Sequence, residues 1–154
     1  MAEKISEAAT TYLKSMLGQD ATFRDGQLEA ISAAVRGQKS LIVQKTGWGK
    51  SIVYFIATKI NRDNGKGITL LISPLLSLMR NQIENAKKIG VMAETINSEN
   101  EENWEEVKRK LRAGKCDILL ISPERLSNDD FIMDTFREIR DGIGMFVVDE
   151  AHCI

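Results

Sequence analysis

From residue 40 to residue 149 the chain alternates short aliphatic, β-branched runs with longer stretches of helical spacing. The apolar runs fall at 40–44, 68–73, 91–96, 117–122 and 144–149, and helical spacing fills 50–61, 75–89, 101–113 and 130–140. Parallel strands cannot be joined by a tight turn and need a crossover of roughly a dozen residues. The spacing therefore predicts an α/β fold, a parallel sheet with helices on both faces. Ahead of it, Ile5, Ala8, Ala9, Tyr12, Leu13, Met16 and Leu17 recur at helical spacing and predict a helix over 5–17 closed by Gly18. Asp25 is the expected N-cap of a second helix reaching Val35 and ended by Gly37. Residues 1–36 are thus two N-terminal helices and 37–154 the sheet-bearing part, together one domain.

Composition excludes several classes. With 43% hydrophobic and 28% charged residues and two prolines, the chain is neither disordered nor fibrous. Its longest apolar stretches, such as 41–43 and 68–72, fall far short of the roughly 20 residues of a membrane span. The first residues include Glu3 and Glu7 with no apolar core of a secretory signal, so a cytoplasmic setting is expected. Cys116 and Cys153 suggest reduced thiols, not a disulfide framework or a metal site. A net charge of −1 is not that of a strongly basic nucleic-acid binder. A groove that holds phosphates through main-chain amides and hydroxyls does not require a basic protein, however. Acids at Glu99–Glu106 followed by Lys108, Arg109, Lys110 and Arg112 follow the helix dipole and predict a solvated helix in place of a partner patch.

Two segments carry chemistry. The first, Leu41-Ile-Val-Gln-Lys-Thr-Gly-Trp-Gly-Lys-Ser51, is an apolar run, a glycine-bearing loop and a helix start. Gly47 and Gly49 allow a tight fold whose N–H groups converge, and the helix terminus adds partial positive charge, a combination suited to phosphate. Thr46, Gly47, Trp48, Gly49, Lys50 and Ser51 are the candidate ATP-binding residues, with Lys50 reaching the β- and γ-phosphates and Ser51 holding Mg²⁺. Gln44 stands where the P-loop pattern opens with glycine. Trp48 either lies over the phosphates or packs on a neighbour, and packing is favoured.

The second segment, Met145-Phe-Val-Val-Asp-Glu-Ala-His152, runs an apolar strand into two acids. Ligands of open parallel sheets gather at carboxyl ends of strands, which places these acids beside the phosphate loop. Asp149 is the expected Mg²⁺ anchor and Glu150 the base for the attacking water, while His152 would link the nucleotide site to whatever is gripped.

These segments make the chain similar to superfamily-two helicases of the RecQ type, a resemblance running from about Leu13 to Ile154 and supported by further stretches. Phe23-Arg24-Asp25-Gly26-Gln27 resembles the adenine-reading motif that precedes the P-loop, which implies that Gln27 pairs with the adenine edge and Arg24 stacks on the ring. Asp20 stands where the family commonly has an aromatic partner. Ser73-Pro-Leu-Leu-Ser-Leu-Met-Arg-Asn-Gln82 resembles the segment that touches phosphates of a single strand, which implies contacts by Ser73 and Arg80, with Leu75, Leu76, Leu78 and Met79 as core. Asn97-Ser98 and Ser122-Pro-Glu-Arg-Leu126 resemble two more segments lining the nucleic-acid path, and Asp-Glu-Ala-His-Cys-Ile154 matches the RecQ form of the motif.

The resemblance implies a RecA-like P-loop lobe of an ATP-dependent DNA helicase, with ATP and Mg²⁺ as cofactors and single-stranded or duplex DNA as partner, moving 3′ to 5′. It also implies an incomplete lobe. In the family the strand after the Asp-Glu-Ala-His segment inserts between the P-loop strand and the Asp149 strand, so these two are expected to show open edges or to close on each other. A gene fragment, poorly soluble by itself, is the expectation. A second lobe would supply the arginine finger, worth about 10³ to 10⁵ in rate, and without it ATP turnover is expected to be feeble. Two other readings stay open: a DExH translocase acting on RNA or in a restriction or defence system, and a fragment that binds nucleotide or a partner without turnover.

Overall fold

A computed structural model describes residues 2–44, 48–97 and 101–150. The N-terminal stripe forms α1, Ala2–Leu17, burying Ile5, Ala9, Leu13 and Met16, and the chain leaves it through Gly18 at φ 109°, a left-handed value that glycine adopts without a Cβ clash. Next comes α2, Gln27–Val35. Its N-cap is Gly26 with no side-chain cap bond, so the expected Asp25 cap is not formed. The Asp25 carbonyl instead accepts the Trp48 indole N–H at 3.0 Å. Helix α3, Lys50–Asp63, buries almost its whole length between the N-terminal helices and the sheet, and the Tyr12 hydroxyl of α1 donates to Asp63 at its far end. Burial first, and that carboxylate second, push the Tyr12 pKa up to about 12.

The predicted parallel sheet is present with four strands, β1 Ile68–Ile72, β2 Ala93–Ile96, β3 Ile118–Ile121 and β4 Ile143–Val148, in the order β2-β3-β1-β4. Along β1 and β3 alternate side chains enter different cores. Leu71, Ile118 and Leu120 pack with α1, α2, α3 and α4 (Arg80–Lys87), whereas Leu70, Ile72, Leu119 and Ile121 pack with Val107 and Leu111 of α5 (Trp104–Arg112). Phe131 and Phe136 of α6 (Asp129–Arg137) join the second core. Helices lie on both faces of the sheet, as the spacing predicts, although Phe146 and Val148 of β4 remain exposed. Where β1 and β4 begin, a Cβ on Gly67 would lie 2.3 Å from the Gly142 carbonyl, so only glycine permits that approach.

Expectations are corrected at three places along the chain, 40–44, 75–89 and 101–113. Residues 40–44 form no strand, and Leu41 and Val43 are 84% and 81% exposed. The physical reason is the missing neighbour: Ile72 and Val148 are paired in β1 and β4, the other edge of β4 faces outward, and an unpaired extended segment gains neither ladder bonds nor burial. Of the two outcomes expected for the edges, the open one is seen: β4 pairs with β1 alone and does not close on residues 40–44. Helix 75–89 is a 3₁₀ turn at Leu76–Leu78 followed by α4, which leaves Leu75 and Leu78 exposed while Leu76 and Met79 are buried, so only two of the four apolar residues are core. The helix expected at 101–113 likewise begins as a 3₁₀ turn, Glu101–Asn103, ahead of α5, whereas α6 begins within one residue of the expected 130 and a separate 3₁₀ turn, Pro123–Ser127, precedes it. Helix α5 does carry acids in its first turn and Arg109, Lys110 and Arg112 in its last. Cys116 is a buried free thiol whose pKa burial pushes up to about 12, and Cys153 lies outside the described residues. Among the described residues no helix is long and apolar enough to cross a membrane.

Candidate functional site

Gly49 opens α3 in the left-handed conformation, φ 92° and ψ 43°, and a Cβ there would sit 2.6 Å from the Gln27 side-chain nitrogen. Glycine is thus required twice over, for its dihedrals and for that contact. Lys50 and Ser51 follow as the first two helical residues, and no side chain caps this terminus. Its leading N–H groups and the helix dipole therefore face the loop that precedes them. Thr46 and Gly47 lie outside the described residues.

Strand β4 delivers the acid pair. Asp149 continues the ladder, its N–H donating to the Ile72 carbonyl at 2.9 Å, and Glu150 turns away at φ 54°, its N–H donating to the Asp149 carboxylate at 3.0 Å. A non-glycine residue at positive φ is uncommon and clusters at functional turns. Met145 and Val147 of β4 pack into the core that holds α3. Tyr54, one turn beyond Lys50 on α3, has its pKa raised first by burial and then by the negative charge of Asp149. The end of β4 and the start of α3 therefore share one electrostatic neighbourhood. His152 is outside the described residues.

The turn ahead of α2 docks against the same loop. Gln27 is 2% exposed; its carbonyl oxygen accepts the Arg24 N–H at 2.8 Å, and its NH₂ donates to the carbonyls of Trp48 at 2.8 Å and Gly49 at 3.3 Å. Trp48 is 9% exposed and lies against Gly26, so it packs on this turn. The amide of Gln27 is committed to the loop backbone, and reading a base edge requires exchanging those bonds.

The remaining sequence-predicted residues line the carboxyl ends of the strands. Ser73, buried after β1, accepts the Leu75 N–H on its hydroxyl at 3.2 Å. Arg80 is exposed at the first position of α4, where a cation opposes the helix dipole. Asn97 follows β2 and Ser122 follows β3, whereas Ser98 is outside the described residues. Ser122 is buried with a hydroxyl that finds no partner among the described residues. Sequence reasoning missed Trp104 as part of this rim; a lone tryptophan at a helix start reads as packing, and only the fold brings it to the Asn97 carbonyl, 3.1 Å from its indole nitrogen.

Beside these strand-end acids and the uncapped, glycine-led start of α3 stands a family match: the model for DEAD/DEAH box helicase matches residues 24–154. The chain belongs to the DEAD/DEAH box helicase family. Its relatives include the ATP-dependent DNA helicase RecQ of Haemophilus influenzae, 39% identical over 148 residues, 95% of this chain and 22% of the relative. The ATP-dependent DNA helicase Q-like 5 of Arabidopsis thaliana is 40% identical over 152 residues, 99% of this chain and 16% of the relative. The RecQ helicase of Bacillus subtilis is 38% identical over 137 residues. This helicase chain thus spans about a fifth of the length of the RecQ relatives it matches, 22% in both bacterial cases.

Proposed function

We propose that this DEAD/DEAH box chain is the ATP-binding lobe of a RecQ-type DNA helicase, in which ATP hydrolysis drives movement along a single strand, 3′ to 5′, and opening of a duplex. The observation that supports the reading is the packing of Met145 and Val147 of β4 into the core that holds α3, the helix that begins with Lys50 and Ser51, with the acid pair following at the end of that strand. Names of relatives at 38–40% identity support DNA as the track. A cytoplasmic setting accords with such a role.

Lys50 would hold the β- and γ-phosphates and Glu150 would take a proton from water as its oxygen attacks the γ-phosphorus. The β–γ P–O bond breaks, and ADP and inorganic phosphate leave. Ser51 and Asp149 offer one hydroxyl and one carboxylate, hard oxygen donors that fit Mg²⁺, an ion that keeps most of its water. Bound there, Mg²⁺ would neutralise phosphate charge. Arg24 and Gln27 would contact adenine once the Gln27 amide exchanges its loop carbonyls for the base, while Ser73, Arg80, Asn97 and Ser98 would meet the strand's phosphates. His152 would couple the two sites. A second lobe would complete the motor.

Lys50→Ala and Glu150→Gln test this. Calorimetry with ATP and Mg²⁺ should record binding by the unsubstituted chain, loss of binding in Lys50→Ala, and retained binding with turnover reduced to background in Glu150→Gln. Equal ATP affinity in all three proteins would overturn the reading. Binding with turnover at background throughout would instead support a nucleotide-binding role without catalysis.

A further inference from the structure

Arg125 sits in the turn after β3, a place from which a guanidinium could reach solvent and a nucleic-acid phosphate. It does not do so. Its side chain is 17% exposed and its guanidinium carbon lies 4.6 Å from the centre of the Trp104 ring and 5.7 Å from that of Phe131. The two rings meet at 5.1 Å and 57°, and Glu101 accepts from the outer guanidinium nitrogen at 3.3 Å. Trp104 at the same time donates its indole N–H to the Asn97 carbonyl. The stack thus joins the segment leaving β2, the start of α5, the turn leaving β3 and the start of α6, although β2 and β3 themselves end at Ile96 and Ile121.

A guanidinium face over indole is attractive by cation–π and stacking terms that an ammonium does not reproduce. Asn97, the start of α5 and the turn after β3, held this way, move together, and a strand gripped on both sides must present its phosphates at one fixed separation. We propose that Trp104 and Arg125 are positioning residues for the nucleic-acid strand, their stack locking Asn97 and the start of α5 to the turn that leaves β3 as a single unit that meets one strand in register. This rests on the nucleic-acid reading given above.

The test uses the 154-residue chain and its variants Trp104→Leu, Trp104→Phe, Arg125→Lys and the Leu/Lys double variant. Fluorescence anisotropy with a labelled oligothymidylate measures binding; hydrogen exchange follows the segments 97–104 and 122–131. Trp104→Leu and Arg125→Lys should each weaken oligonucleotide binding about tenfold, and the double variant should be no weaker than the worse single, as for two residues acting through one contact. Trp104→Phe, which keeps a ring under the guanidinium, should recover most of the affinity, and ATP affinity should not change in any variant. Exchange should accelerate in both segments together in Trp104→Leu and in Arg125→Lys. Wild-type affinity in Arg125→Lys, additive losses in the double variant, or exchange that rises only beside the substitution would overturn the proposal. Failure of the unsubstituted chain to bind the oligonucleotide, with exchange still coupled between the segments, would overturn the nucleic-acid reading and the positioning role with it, leaving the stack as a structural clasp.

Discussion

Gln27 donates its side-chain amide to the carbonyl of Trp48 at 2.8 Å, and Trp48 returns a bond from its indole N–H to the carbonyl of Asp25. The turn ahead of α2 and the loop ahead of α3 are thereby stapled in both directions across 21 residues of sequence. If Gln27 reads adenine and the loop ahead of α3 holds phosphate, as proposed, the two cannot change conformation independently. Occupancy of a base site would be felt by the loop through the exchange of these bonds.

Gln27→Ala should therefore act on stability and on base preference at once. The substitution leaves two buried carbonyls and the Arg24 N–H short of a partner, a loss of about 2 kcal/mol. For a domain of this size that lowers Tm by roughly 4–8 °C. In thermal-shift titrations, ATP should stabilise the unsubstituted chain more than GTP does, and Gln27→Ala should respond equally to both. A retained preference for ATP would remove Gln27 from base recognition.

Periodicity made the sheet legible because burial in its central strands is marked locally: β1 and β3 are runs sealed on both faces, wholly apolar in β3 and interrupted only by Thr69 in β1, and their sequences read that way. The glycine-led start at Lys50 and the acids after β4 were legible for the same reason, since loop conformation and strand ends leave residue-level marks. Residues 40–44 read as a strand yet are not one, because pairing depends on a neighbour that no local pattern encodes. The Gln27 staple and the Arg125 stack were hidden for a related reason. Both join segments distant in sequence, 21 residues apart for Gln27 and Trp48, and nothing in either segment alone announces the other.

Arg62 offers a test of how the sheet is anchored at its other end. Its guanidinium binds Asp117 and Asp141 at 3.0 Å each and the Lys66 carbonyl at 3.1 Å, tying together the segments that enter β3, β4 and β1. All three charged side chains are mostly buried, so removing the cation leaves Asp117 with the Met92 N–H and Asp141 with Arg140 as their remaining partners. Arg62→Met should lower stability by roughly 2–3 kcal/mol. Denaturant unfolding should record that loss, with ATP affinity little altered because the nucleotide residues lie at the opposite ends of the strands.

Acid should weaken the same anchor. Arg140 first, and Arg62 with it, hold the Asp141 carboxyl below the usual carboxylate range. A carboxylate whose folded pKa lies below its unfolded value of about 3.9 contributes stability that is complete above that value and is lost as pH falls through the folded pKa. Tm should thus be insensitive to this group between neutral pH and about pH 5, then drop as pH passes below about 4. Asp141→Asn should melt lower at neutral pH and show a smaller acid drop; an unchanged acid profile would deny the group a role.

The free edge of β4 should govern how the chain behaves at high concentration. Phe146 is 57% exposed, Ile143 and Val148 flank it with apolar surface, and this side of the sheet has no hydrogen-bonded neighbour among the described residues. A regular apolar edge with no inward charge is a template for another strand, and Leu41 and Val43 of a neighbouring molecule are more exposed still. Light scattering should therefore detect association that rises with protein concentration and is insensitive to salt, since burial and not charge drives it. Phe146→Lys places a charge on that edge and should suppress association without lowering the melting temperature, because the side chain it replaces points mostly into solvent. Association that persists unchanged in Phe146→Lys, or that is abolished by salt alone, would assign self-assembly to another surface.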